Sequence, residues 1–272
     1  MKFGLYLVAT PIGNLEDITL RAISVLKNSD IILCENTRHS LNLLRHFNIN
    51  APIIEKYTDH DFEKKHKHIE KLIKSGKIIS LISDAGSPIV SDPGSSLIHY
   101  LFKKNCHIES IPGASSIIAA IQLSGFFNSY PLVFFGFLPK KVEQKKKYFL
   151  DIKNSNVVFF TTAPQLNKDL EMIFELDPNS KVTILNELTK KFEKRISLNF
   201  AEYNQMKPIV LKGEFVVCAE YHGVVEHTEI NDNQILGDLK KYGKKKIYEI
   251  YRTKYNIKRN ELYKKILSIK EI

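Results

Sequence analysis

Three segments place glycine or proline among hydroxyl and carboxylate side chains directly behind an apolar run. The first is Ala9-Thr-Pro-Ile-Gly-Asn-Leu-Glu-Asp17, and the second is Ser83-Asp-Ala-Gly-Ser-Pro-Ile-Val-Ser-Asp-Pro-Gly94. The third is Ile111-Pro-Gly-Ala-Ser-Ser116. Glycine lets a ligand approach the backbone closely, and proline fixes φ and stiffens the loop. Free amides and small hydroxyls at such places suit an amino-acid carboxylate or a ribose. Each loop taken alone also reads as an ordinary strand-to-helix turn, with Ser115 and Ser116 as helix caps. Three of them converging on one crevice weigh more than any one. None is a GxGxxG turn, so a dinucleotide cradle is disfavoured.

Other constellations are simpler. Glu35-Asn-Thr-Arg38 and Glu187-Leu-Thr-Lys190 each set a carboxylate and a cation close together, where a local ion pair is the default reading. The nine histidines contain no HExxH, and His66 and His68 are expected in solvent on a charged helix face. Cys34, Cys106 and Cys218 form no CxxC pair, and each is expected as a small buried residue on a strand. Neither a metal cluster nor a GxSxG nucleophile is available.

The elements that must position these loops follow from the apolar pattern. Short apolar runs at 4–9, 30–34, 77–82 and 107–111 read as strands, each followed by a helical stretch of about ten residues. That alternation predicts a mostly parallel sheet covered on both faces. The turn-like residues 125–131 break the rhythm; strands at 132–137, 156–160, 181–186 and 214–220 then predict a second α/β domain. The expected division is 1–127, 128–228 and a helical segment 229–272. In the last segment Ile247, Ile250, Tyr251 and Tyr255, then Leu262, Ile266 and Ile269, recur at helical spacing.

With 272 residues, 43% hydrophobic and 26% charged, the chain suits one large or two smaller globular domains. No apolar run approaches the roughly 20 residues that span a bilayer, and residues 3–9 are too short for a signal segment. A cytoplasmic protein with no membrane contact is expected. The charge is unevenly placed. Residues 234–272 hold twelve Lys/Arg and four Asp/Glu, a net of +8, while the whole chain is +10. A concentrated basic tail suits a polyanion, although a solvated lysine face looks similar.

Six strings then carry a resemblance: LYLVATPIGNLEDIT (5–19), CENTRHSLNLLRHF (34–47), SDAGSPIVSDPG (83–94), IPGASS (111–116), GFLPKK (136–141) and NELTKKFE (186–193). In this order, with RNELYKKIL near the end, they resemble the bacterial ribosomal RNA small subunit methyltransferase I family of the tetrapyrrole-methylase superfamily. The resemblance implies two α/β domains of the class III methyltransferase type with a basic helical tail, and S-adenosyl-L-methionine as cofactor. It implies a homodimer whose target is a cytidine 2′-hydroxyl in the decoding region of 16S rRNA, in the small ribosomal subunit.

Carried onto matching positions, the superfamily's cofactor contacts fall at Pro11, Ala85, Gly86, Ser87, Val90, Ser115 and Ser116. Leu188 is expected to add a contact from the second domain. A ribose hydroxyl is a poor nucleophile at neutral pH, so a proton acceptor or a neighbouring cation is needed. Lys190, then Glu187, then Glu35 are the candidates. Arg38, Lys140, Lys141, Lys145 and Lys244, Lys245 and Lys246 are the expected RNA contacts.

The chain departs from the family pattern in three places. Asn36 stands where the family commonly has Asp, and Asn186 where it favours Arg. Residues 160–165, Phe-Thr-Thr-Ala-Pro-Gln, replace an aromatic-Glu-Ser-Pro-His-Arg run. No role is therefore carried onto residues 161–165. A small-molecule tetrapyrrole methylase and a noncatalytic RNA-binding factor on the same scaffold are the alternatives.

Overall fold

A computed structural model describes residues 1–224, 232–255 and 259–270. The first apolar runs form β1 (Gly4–Val8), β2 (Ile31–Cys34), β3 (Ile53–Lys56), β4 (Ile78–Ile82) and β5 (Ile108–Ile111). They make one parallel sheet in the order β3-β2-β4-β1-β5. Side chains alternate across it. Tyr6, Val8, Ile32, Cys34 and Ile82 meet Ala22, Val25 and Leu26 of α1 (Leu20–Lys27) and Leu44 of α2 (Thr37–His46). Leu5, Ile31, Leu33, Ile79 and Leu81 meet Ile69 and Ile73 of α3 (Phe62–Lys74) and Leu97 and Leu101 of α4 (Ser95–Lys103). Both faces are therefore covered, as a parallel sheet requires.

The register decides where chemistry can occur. Val8 lies opposite Ile82 and Ile111, and Cys34 lies opposite Ile82 and Lys56. The carboxyl ends of all five strands thus share one edge, and the loops 9–17, 83–94 and 111–116 and the turn at Glu35 leave from it.

By contacts, the first compact unit is Met1–Leu123 together with Leu185–Arg195, and the second is Ser124–Ile184 together with Ile196–Ile272. The expected boundary at 127 falls within a few residues of this, but the NELTK segment goes with the first unit. The second sheet holds β6 (Leu132–Phe137), β7 (Ser155–Thr162), β8 (Lys181–Asn186), β9 (Lys194–Leu198) and β10 (Glu214–Tyr221) in the order β6-β7-β10-β8-β9. This sheet is mixed, since β7 runs parallel to β6 and antiparallel to β10. Its core joins Val157, Phe159, Val217 and Ala219 to α7 (Ala163–Leu176) through Leu166, Leu170 and Ile173.

The pattern of apolar residues missed β3 and β9. Both are edge strands; β3 is four half-exposed or exposed residues, and β9 opens on Lys194 and Arg195. Short, charged edges carry little apolar signal and resist unwanted strand pairing. Two other expectations need correction. Cys106 is only half-buried and precedes β5, whereas Cys34 and Cys218 are buried on strands. His66 is not in solvent: it stacks on Phe62, meets Tyr100 edge-on, and its Nδ1 lies 2.7 Å from the Phe62 carbonyl oxygen.

After the second sheet the chain forms α9 (Asp232–Tyr255) and α10 (Arg259–Lys270). Among the described residues, no helix is long and apolar enough to cross a membrane.

Candidate functional site

The first two loops are tied together by backbone. Thr10 N–H donates to the Gly86 carbonyl at 2.9 Å, and Gly86 N–H donates back to Thr10 at 3.0 Å. Buried Thr10 also donates its hydroxyl to the Ser83 carbonyl at 3.1 Å. The third loop joins them: Ala9 N–H donates to Ile111 at 3.1 Å, and a Cβ on Gly113 would stand 3.0 Å from that of Ala9. Pro11, Gly86, Ser115 and Ser116 are therefore carried by one rim.

The NELTK segment joins the same rim. Asn14 N–H donates to Thr189 Oγ1 at 3.1 Å. Gly13 has no room for a side chain, because a Cβ would lie 2.5 Å from Lys190 Cγ, 2.8 Å from Thr189 Oγ1 and 3.0 Å from the Leu188 carbonyl oxygen. Leu188 thus comes to the rim from within the first unit, not from the second as expected. Half-buried Lys190 and Glu187 pair at 3.2 Å.

Two turns on this rim share an unusual backbone. Ile89 and Ser91 flank Val90 at φ 79° and 68°, and Glu187 and Thr189 flank Leu188 at φ 52° and 63°. Left-handed conformations are costly for β-branched residues and persist where surroundings over-determine them. Around Leu188 the constraint is visible: Lys190 N–H donates to Glu187 at 3.0 Å, and Thr189 N–H donates to Glu193 Oε2 at 2.6 Å. Leu188, one of the expected cofactor contacts, is thus held between two hydrogen-bonded neighbours.

Carboxylates gather at the neighbouring strand ends. Burial first, then the charges of Glu35 and Asp84, push the Asp92 carboxyl up to about 6, against a hydrogen bond from Ser83 that favours ionisation. Buried Asp84 Oδ1 has no hydrogen-bond partner among the described residues. Asp84 and Asp92 are the two carboxylates of the second loop, to which the sequence assigns no individual role. Among the described residues no group of His, Cys, Asp or Glu is placed to hold a metal ion.

Glu35 is exposed and belongs with these carboxylates; among the described residues no ion pair joins it to exposed Arg38. Asn36 caps α2 instead, its side chain accepting from Arg38 N–H at 3.1 Å and His39 N–H at 3.3 Å. Asparagine caps as well as aspartate does, so the substitution at this position preserves the turn.

In the second unit Lys140 and Lys141 are exposed before α6 (Val142–Leu150), but Lys145 is not a surface contact. It is 1% exposed, forms an ion pair with Asp169, and donates to Gln165 Oε1 at 3.0 Å. Thr161 Oγ1 donates to the same Asp169. The lysine is therefore withdrawn from any RNA role. Thr161 and Gln165, which gave no functional reading, line an internal network. Lys246 is exposed on α9, while the side chains of Lys244 and Lys245 lie outside the described residues.

The rim's donor set matches the chemistry of S-adenosylmethionine. Its backbone amides and the hydroxyls of Ser87, Ser115 and Ser116 suit a carboxylate and a ribose. The unpartnered oxygen of Asp84, with Asp92 and Glu35, suits a cation. Residues 4–203 match the family described as Tetrapyrrole (Corrin/Porphyrin) Methylases.

The chain belongs to this family. It is a methyltransferase of the tetrapyrrole-methylase fold, in a family that uses S-adenosylmethionine. The methylase is 44% identical to a Ribosomal RNA small subunit methyltransferase I of Rickettsia prowazekii, over 85% of this chain and 83% of the relative. It is 41% identical to the protein of that name from Mycoplasmopsis pulmonis, over 78% of this chain and 96% of the relative. Among solved structures, the methyltransferase CobJ superposes with a TM-score of 0.60 at 14% identity, covering 80% of this chain and 94% of its own. Diphthine synthase gives 0.58 at 15% identity, covering 80% and 89%. These two likenesses concern the fold alone.

Proposed function

We propose that this methylase transfers a methyl group to small-subunit ribosomal RNA, at a cytidine 2′-hydroxyl in the decoding region of 16S rRNA. The reading is carried by the convergence of residues 9–17, 83–94, 111–116 and 185–195 on one rim, in a chain whose relatives bear that enzyme's name. Pro11, Ala85, Gly86, Ser87, Val90, Ser115, Ser116 and Leu188 would hold the cofactor, many through backbone atoms. Bound there, S-adenosylmethionine supplies a methyl group activated by a sulfonium. The protein must then align the acceptor and exclude water.

Lys190 is the group proposed to lower the pKa of the acceptor hydroxyl, with Glu187 fixing its ammonium 3.2 Å away. Glu35, on the carboxylate side, ranks behind both. Arg38, Lys140, Lys141 and Lys244, Lys245 and Lys246 would meet phosphate. A homodimer acting on the small ribosomal subunit in the cytoplasm completes the proposal.

The deciding experiment is methyl transfer to purified small subunits with the product nucleotide mapped. A 2′-O-methylcytidine in the decoding region is expected, and product at a base or at no RNA position overturns the reading. Lys190→Ala should lower kcat by about 100-fold or more, as loss of a positioned acid or base does, while cofactor affinity holds. Unchanged turnover would remove Lys190 from the mechanism.

A further inference from the structure

The two C-terminal helices are more than a charged extension. Gly243, at φ 74° and ψ 165°, breaks α9 in two, so three helical segments are present. Ile235, Ile247, Tyr251, Leu262 and Ile266, each no more than 4% exposed, form a core of their own from all three. Tyr251 donates to Asp238 Oδ2 at 2.8 Å, fastening the second segment to the first. These helices lie beyond residue 203, where the family match ends.

The outer surface does not look like a plain solvated face. On α10, Leu262 and Ile266 take the inward positions, yet Tyr263 is 53% exposed and Leu267, one turn later, is 43% exposed. Lys264 stands exposed beside them. At the break in α9, exposed Tyr242 carries the Lys241 ammonium 5.0 Å from its ring centre, with exposed Lys240 and Lys246 on either side. Residues 232–272 hold twelve Lys/Arg against five Asp/Glu. Exposed aromatic rings set among lysines are what a single-stranded nucleic acid needs: rings for stacking bases and cations for the backbone.

We infer that this three-helix unit is a binding surface for unpaired RNA, with Tyr263 and Tyr242 stacking on bases while Lys240, Lys246 and Lys264 meet phosphates. Stacking requires bases with open faces, so duplex RNA is the poorer ligand. The inference rests on the proposed function only in taking RNA as the polyanion; it adds the kind of RNA and the residues that hold it.

The test uses the full chain and fluorescence anisotropy with a labelled single strand of about twelve nucleotides, the same sequence as a duplex, and a polyglutamate of equal charge. The single strand should bind tightest. Tyr263→Ala should weaken it roughly fivefold or more at every salt concentration, and Tyr263→Phe should restore it. Lys264→Ala should instead make the logarithmic salt dependence shallower by about 0.7 for the one phosphate left without its cation. In methyl transfer both variants should raise KM for subunits and leave kcat intact. Equal binding of duplex or polyglutamate, or variants indistinguishable from the parent, would overturn the inference. A parent that binds single strands as described but methylates no subunit refutes the proposed reaction and leaves this surface standing.

Discussion

After β4 the chain reaches its next helix through residues 83–94. There Asp84 keeps a buried oxygen without a partner, and Ile89 and Ser91 sit in the left-handed region. After β7 it enters α7 through residues 161–165, where Asp169 is bound by Lys145 and Thr161 inside the protein. Both corners follow a buried strand and precede a helix, and both contain a proline. The first holds one buried carboxylate oxygen short of a partner, as a ligand site can; the second has consumed its own. The second corner thus contributes to the packing of the second unit, and the proposed site keeps to the first. In this chain Asp169 and Lys145 neutralise each other beneath residues 161–165.

Opening the closed corner should have the largest effect. Asp169→Ala leaves the Lys145 ammonium buried without its counter-charge, which typically costs about 3–5 kcal/mol. Urea denaturation should show that loss. Lys145→Met combined with Asp169→Leu should regain most of it, because an apolar pair of similar size needs no desolvation of charge. A loss below about 1 kcal/mol for the single variant would mean that water reaches the pair, as at a surface ion pair. The corner would then be open, and the contrast with residues 83–94 would fail.

The open rim should fail differently. Gly13→Ala drives a methyl group against Thr189 Oγ1 and the Leu188 carbonyl, which cannot move aside as a lysine chain can. Overpacking of this kind costs about 1–3 kcal/mol. Cofactor affinity, followed by calorimetric titration, should fall with it, because Leu188 and the loop of residues 9–17 are displaced together. A variant that loses stability but binds cofactor as before would separate the NELTK turn from the cofactor rim.

Much of the rim was readable from sequence because its signals are local: an apolar run, then glycine and proline with hydroxyls. The C-terminal helices were readable too, from the spacing of Ile247, Tyr251, Leu262 and Ile266. Charge was the poorer guide. Lys145 looks like one of a lysine run, yet Lys145 and Phe149 are one helical turn apart and both buried. His66 follows the same rule, since Phe62, His66, Ile69 and Ile73 trace one face of α3. In both cases the apolar stripe is the stronger signal than the charged residues around it. The left-handed turns at Glu187 and Thr189 had no signal at all, because their conformation is held by Asn14, far away in the chain, and by Glu193 across the turn.

Asp92 offers a pH-dependent version of the contrast. Its carboxyl titrates near 3.8 when free and at about 6 in the fold, so the folded chain holds this proton more tightly than the unfolded one. The stability it contributes is full below about 3.8 and is lost as pH rises through about 6. Asp92→Asn should remove that dependence: the variant gains on the parent between pH 4 and 6 and keeps the gain at pH 7. Denaturation curves at four or five pH values across this window decide it. Parallel curves would place Asp92 in solvent, away from Glu35 and Asp84.

The smallest effect concerns the residue that departs from the family pattern on the first unit's own edge. Asn36 caps α2 through two backbone N–H groups, and losing a cap of this kind costs about 1 kcal/mol. Asn36→Ala should lower the stability read from urea denaturation by that amount, whereas Asn36→Asp should stay within about 0.5 kcal/mol of the parent, since both side chains accept the same bonds. If the aspartate variant also leaves methyl transfer unchanged, the family's carboxylate at this position serves the helix and not the reaction. A gain in turnover would instead draw this position into the carboxylate group of Glu35, Asp84 and Asp92, and the rim would extend one strand further along the sheet edge.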